Sequence, residues 1–386
     1  MKSLKNIDWK KFDLVSVAAM VILLCIGVYC IKQADIMSNE IQGLYKKQLV
    51  GVALGGFLMI VILFVDYRFI CKFSIVFYLG ILGVLAYTLK YGDNINKVRR
   101  WVTIAGIQLQ PSELAKTVLI IFLAFLCNCL RKKMDKFYTL LILGVVVAIP
   151  VLLILMQPHM STSLVIIIVF CVIVYMSGLS YKIIGSACLL AAAVLGTIFI
   201  VVGVYKVEVP LIKPYQVNRI LSFLSSDEEE DQSGMYQQNQ AVLAIANGGK
   251  NGKFVEGDSS IRAFSTIYAN ESDFIFSVVG EEFGFIGCTL IIVLYFILVV
   301  RCLIIGAHAP DYMGKLICVG VSSMLMFQVF INVGVATSLL PNTGLPLPFI
   351  SYGMTSLINS MAAVAMVLNI GLRRTRSVER DYEIFS

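Results

Sequence analysis

Residues 270–300 read NESDFIFSVVGEEFGFIGCTLIIVLYFILVV. From Phe283 to Val300 no charged residue interrupts the run, and a helix needs roughly 20 such residues to cross a hydrocarbon core of about 30 Å. The first part of the stretch differs in kind, because it carries four acidic side chains, Glu271, Asp273, Glu281 and Glu282. Ionisable groups are costly at membrane depth and by default mark function.

The rest of the chain repeats the apolar pattern. Its 386 residues are 59% hydrophobic and 14% charged, with a mean hydropathy of +0.87, far outside the range of soluble globular domains. Spanning runs fall near 14–31, 48–65, 73–89, 113–130, 137–156, 161–178, 184–204, 274–300, 315–338 and 350–372. Their length and lack of strand-like alternation favour helices over a barrel. The expected fold is therefore all-α, one membrane domain over residues 1–386 with ten transmembrane helices. A hydrophilic segment, 205–272, forms a large outer loop between the seventh and eighth. Pro150 marks a candidate kink in the fifth span.

Orientation follows from charge. The basic start MKSLKNIDWKK precedes the first span without a small-residue cleavage site, which predicts an uncleaved helix and a cytoplasmic N-terminus. RKKMDK at 131–136 and LRRTRS at 372–377 then fall on the cytoplasmic side with the C-terminus, as the positive-inside rule requires. Membrane orientation thus accounts for the net charge of +7, and nucleic acid is not called for. The ten cysteines lie in or beside apolar runs, so no structural disulfide is expected. His159 and His308 are far apart and CxxC is absent, which argues against a transition-metal site.

In that orientation four polar segments meet at the outer face: RRWVTIAGIQLQPSELAK (99–116), QPHMSTS (157–163), NESD (270–273) and PNTGLPLPFISYG (341–353). Glu113 and Lys116 are helical neighbours that either pair structurally or serve the site. Arg99 and Arg100, beside Trp101, either anchor to headgroups or clamp a diphosphate, and position alone favours anchoring. Asp273 either caps the eighth helix or, partly buried with a raised pKa, acts as a general base; position alone favours the cap. Glu281 and Glu282 are expected deeper, pairing with a basic residue such as Lys116 or lining a polar cavity.

Three of these stretches resemble signatures of the shape, elongation, division and sporulation family, which includes RodA, FtsW and SpoVE. They are RRWVTIAGIQLQPSELAK, ESDFIFSVVGEEFGFIG and NVGVATSLLPNTGLPLPFISYGMTSL, in family order. The resemblance implies a peptidoglycan glycosyltransferase that polymerises lipid II outside the cytoplasmic membrane beside a class B penicillin-binding protein. It makes Asp273 the catalytic residue, taking the proton of the acceptor's GlcNAc 4-hydroxyl as this attacks MurNAc C1 and undecaprenyl diphosphate leaves. Arg99, Arg100 and Lys116 become candidates for holding the diphosphate, with a bound divalent cation as another source of positive charge and no other cofactor evident. Arg219, in PYQVNRILSF, is a further candidate for substrate contact, as is Glu113. Gln110, Ser112, Glu281 and Ser351 are expected as supports.

Departures from the family pattern are Glu271 for histidine, His159 for aspartate, Ser161 for glycine, and a glycine-poor stretch over 252–266. Two other readings stay open: a transporter of lipid-linked precursors, and a non-catalytic scaffold for a transpeptidase.

Overall fold

A computed structural model describes residues 8–37, 43–95, 98–104, 107–134, 136–179, 185, 232–256 and 262–373. Among these, eight helices are long and apolar enough to cross a membrane: α1 (Leu14–Met37), α2 (Leu44–Phe64), α4 (Ser74–Tyr91), α5 (Pro111–Cys129), α6 (Phe137–Met156), α9 (Ile275–Ala307), α10 (Tyr312–Ala336) and α11 (Met354–Leu372). A slightly shorter apolar helix, α7 (Met160–Met176), completes nine of the ten expected spans. The seventh, 184–204, lies outside the described residues apart from Gly185, as does Arg219. Three more helices among the described residues do not span: α3 (Tyr67–Lys72), α8 (Gln232–Asn247) and a single turn at Lys253–Glu256. Pro150 sits inside α6, which continues through it as one helix.

α10 and α11 form the hub. Of α11's most apolar stretch 83% is buried, against 28% in α2, so α2 presents Leu54, Phe57 and Ile60 outward, as a lipid-facing helix should. At the end of the bundle where α10 begins, charged residues tie the helices. Asp311 caps α10 by accepting from the Gly314 amide at 2.7 Å and also receives Arg68 Nε at 2.8 Å and the Tyr67 hydroxyl at 2.5 Å. Arg301 pairs with Asp13 at 2.8 Å beside it.

The opposite end departs from the all-helical expectation. Three short strands, β1 (Asp93–Ile95), β2 (Val98–Ile104) and β3 (Ile107–Leu109), pair antiparallel in sequence order. Trp101 lies opposite Asp93, and Thr103 opposite Gln108. The alternation and β-branching of VRRWVTI suit a strand, and the sheet delivers the chain to α5, where Pro111 occupies the first turn without forfeiting a hydrogen bond.

The long helix α9 is broken. Gly284 takes φ 63°, ψ −162°, dividing it into a short arm, 275–283, and a long arm from Phe285. The long arm, about 34 Å at 1.5 Å per residue, is by itself long enough to span. Its first two amides, freed by the break, donate to carbonyls of a glycine turn after α8: Phe285 N to Gly249 O at 2.9 Å and Ile286 N to Lys250 O at 3.2 Å. A Cβ on Gly284 would stand 2.5 Å from Gly252 N, so glycine is required there for both conformation and space.

A candidate active site at the Asp273 end

Hydrogen bonds link the four polar segments in series: 99–116 to 157–163, 157–163 to 341–353, and 341–353 to 270–273. Arg100 on β2 donates Nε to Gln157 O at 3.0 Å and Nη2 to Pro158 O, fixing the turn between α6 and α7. From that turn Ser161 Oγ donates to Thr343 O. At the start of α5, Gln110 N donates to Thr355 Oγ1 at 3.1 Å, and its Nε2 lies 3.4 Å from His159 Nε2. Ser351 Oγ donates to Ser272 O at 2.6 Å and accepts from Leu347 N at 2.7 Å.

Asp273 lies half-buried in the turn before α9. Its carboxylate rests on Gly344, which takes φ +65°. Gly344 does for the site what a side chain could not, leaving room above a loop that is otherwise packed. That loop reaches far into the bundle: Tyr295 on the long arm of α9 donates its hydroxyl to Pro348 O, and Ile350 Cα would stand 2.7 Å from a Cβ on Gly27 of α1.

The basic candidates separate. Neighbouring residues of a strand point to opposite faces, and Arg99 donates to Lys90 O on the exposed side while Arg100 turns to the 157–158 carbonyls. They do not form a joint fork. Lys116 is buried and pairs with Glu113 through both carboxylate oxygens, at 2.9 and 2.8 Å. Below it lies a small apolar cavity lined by Leu119, Ile120 and Ile166. Ser112 is buried beside the pair, its hydroxyl without a protein partner.

Glu281 and Glu282 correct the expectation of a link to Lys116. Both sit in the short arm of α9, fully buried, and their basic partners come from upstream of it. Glu281 accepts from Lys253 Nζ at 2.7 Å and from the Ala263 and Phe264 amides at 2.8 and 2.9 Å. Glu282 accepts from Arg262 Nε at 2.7 Å and from the Tyr29 hydroxyl at 3.4 Å. The two acids therefore strap Lys253 and residues 262–264 to the short arm that follows Asp273.

His159 is buried between α6 and α7, and burial, then the positive charges of Arg100 and Lys116, hold its imidazole well below the ordinary histidine pKa. Tyr352, whose amide donates to Glu271 O at 2.8 Å, has its hydroxyl pKa raised by burial and by the carboxylates of Glu271 and Asp35. Among the described residues no three His, Cys, Asp or Glu side chains gather as a metal-binding set. Asn332, Gly344, Lys253 and Arg262 are site-forming residues that the sequence reading did not single out; a lone asparagine in an apolar run and a Thr-Gly pair were the available signals.

Comparison with known proteins agrees over nearly the whole chain. The profile of the FtsW, RodA and SpoVE family, described as "Cell cycle protein", matches residues 11–376. The probable peptidoglycan glycosyltransferase FtsW of Geobacter metallireducens is 34% identical over 383 residues, 96% of this chain and 97% of the relative. Stage V sporulation protein E of Bacillus subtilis is 32% identical over 377 residues, covering 93% and 96%. The peptidoglycan glycosyltransferase MrdB of Escherichia coli K12 is 29% identical over 375 residues, 96% of each. A chain from a peptidoglycan synthase complex, solved to describe how polymerization and crosslinking are coordinated, superposes with a TM-score of 0.77 at 28% identity, covering 94% of this chain and 98% of that one. The Thermus thermophilus rod shape determining protein RodA shares the fold, with a TM-score of 0.67 at 24% identity over 96% and 99%.

Proposed function

This chain belongs to the FtsW, RodA and SpoVE family, a family of multi-pass membrane peptidoglycan glycosyltransferases, and we propose that it polymerises lipid II with Asp273 as general base. The observation that carries the reading is the Asp273 carboxylate, half-buried over a bare glycine where four polar segments converge. A carboxylate so placed takes the proton of the acceptor's GlcNAc 4-hydroxyl as that oxygen bonds to MurNAc C1. The bond from C1 to the diphosphate oxygen breaks, and undecaprenyl diphosphate leaves with the electron pair. Exposed Arg99 is the cation most open to the leaving group. Arg100 and Lys116, whose hydrogen bonds go to protein groups, contribute positive field.

The site faces outward in this reading, because the basic segment 131–136 lies at the other end of the bundle. A crosslinking enzyme of the class B penicillin-binding type is the proposed partner, supported by likeness to a chain from a complex that couples polymerization with crosslinking. The test is extension of labelled lipid II by purified protein with that partner. Asp273→Asn should lower the rate by about 10²- to 10⁴-fold; polymerisation at the wild-type rate would remove Asp273 from the mechanism.

A further inference from the structure

The turn that carries Asp273 does not hold itself in place. The amides of Ser272, Asp273 and Phe274 all point at one carbonyl, that of Ala269, at 3.1, 3.1 and 3.4 Å, and Ala269 itself takes φ 59°. The carbonyls of Glu271, Ser272 and Asp273 are held from outside the turn. Each finds a donor in the segment 332–352: Glu271 O receives Tyr352 N at 2.8 Å, Ser272 O receives Ser351 Oγ at 2.6 Å, and Asp273 O receives Asn332 Nδ2 at 2.9 Å.

Asn332 is the innermost of the three, 1% exposed on α10. Its single nitrogen donates twice, to Asp273 O and to Leu345 O at 2.7 Å. It thereby ties the base's own backbone to the residue that follows Gly344. A primary amide supplies two N–H donors on one atom, which neither a hydroxyl nor a carboxylate of similar size does. Its Oδ1 is buried with no protein partner, so the donor side alone sets the orientation.

We propose that Asn332 is a positioning residue for glycosyl transfer: together with Ser351 and the Tyr352 amide it grips three successive carbonyls and so aims the Asp273 carboxylate over Gly344. The proposal rests on Asp273 being the general base. Asn332 touches no reacting atom in this scheme; it acts through the geometry of Asp273, where displacements of about 1 Å are worth up to about 100-fold in rate.

The experiment measures kcat and KM for labelled lipid II on the full chain with its crosslinking partner, alongside the melting temperature of each variant. Asn332→Asp keeps the shape and breaks the double grip, since an aspartate has no donor when ionised and only one when protonated. The expected result is a kcat lower by about 10- to 100-fold and a KM within about twofold of wild type, with a melting temperature lowered by the buried carboxylate. Ser351→Ala, which removes one hydroxyl from the same grip, should lower kcat in the same direction by less. A kcat for Asn332→Asp within about twofold of wild type, or a loss confined to KM, would overturn the proposal. Should Asn332→Asp fail to fold, Ser351→Ala decides, and an unchanged kcat there overturns it. Asp273→Asn in the same assay keeps the two claims apart. Activity in that variant removes the base, whereas its inactivity combined with full activity in Asn332→Asp removes only the positioning.

Discussion

Gly344 and Asp273 are in contact: a Cβ built on Gly344 would lie 3.2 Å from the Asp273 Oδ2. The glycine is thus part of the carboxylate's seat, and its φ of +65° independently disfavours any side chain. Gly344→Ala should push the carboxylate off its position and cut kcat about tenfold or more, equivalent to about 1.4 kcal/mol in the barrier. The melting temperature should fall less than a core substitution would make it fall. Steady-state kinetics and thermal unfolding in detergent, run on the same preparation, check both parts.

The buried Glu113–Lys116 pair gives a different signature. Removing one partner strands a charge out of water, at about 3–5 kcal/mol, while removing both leaves apolar surroundings that tolerate the loss. Lys116→Met alone should therefore destabilise more than Glu113→Gln combined with Lys116→Met. Thermal unfolding of the single and double variants tests this. Recovery of stability without recovery of polymerisation would assign the pair to the reaction as well as to packing.

His159 links stability to pH. In the folded chain its pKa lies well below the unfolded value of about 6.5, so below that value the unfolded state binds the extra proton and is favoured. The stabilisation is full above about pH 6.5 and is lost as pH falls toward the depressed folded pKa. The charges facing the ring, Arg100 and Lys116, are both positive, and Glu113 is occupied with Lys116. Melting temperature should drop between pH 7.5 and pH 5 (the range set by the unfolded pKa of about 6.5), and His159→Asn should flatten that drop.

The strap on α9 predicts a change in accessibility. Glu281 is fully buried and holds Lys253 and two amides, so Glu281→Gln should free Lys253 and residues 262–264 before it unfolds anything else. Trypsin would then cut after Lys253 and Arg262 faster than in wild type, at a temperature where both proteins are folded. Unchanged cleavage would mean that the glycine turn alone secures the segment.

The spans were legible because a run of apolar residues about 30 Å long admits few other structures, and nine appear near where the runs lie. Convergence of the polar segments was legible too, since alternating helices place every second loop at one end. The sheet was missed because VRRWVTI was read as an approach to α5 rather than as a strand with its own alternation. Partners for Glu281 and Glu282 were out of reach for another reason. Choosing Lys253 and Arg262 over Lys116 requires knowing that α9 breaks at Gly284, and the break depends on a turn that docks from 35 residues upstream, 284 less 249. Asn332 likewise looked like one polar residue in a span until its two carbonyl partners were placed.

The timing of synthesis gives these contacts an order. The first two amides of the spanning arm of α9 are satisfied by Gly249 and Lys250, which leave the ribosome before it. The carbonyls around Asp273 wait instead for Asn332, Ser351 and Tyr352, which are made afterwards. A nascent chain ending just past α9 would therefore already be threaded through the membrane yet lack a seated carboxylate. The seat of Asp273 is thus completed only by α10 and the loop that joins it to the last span.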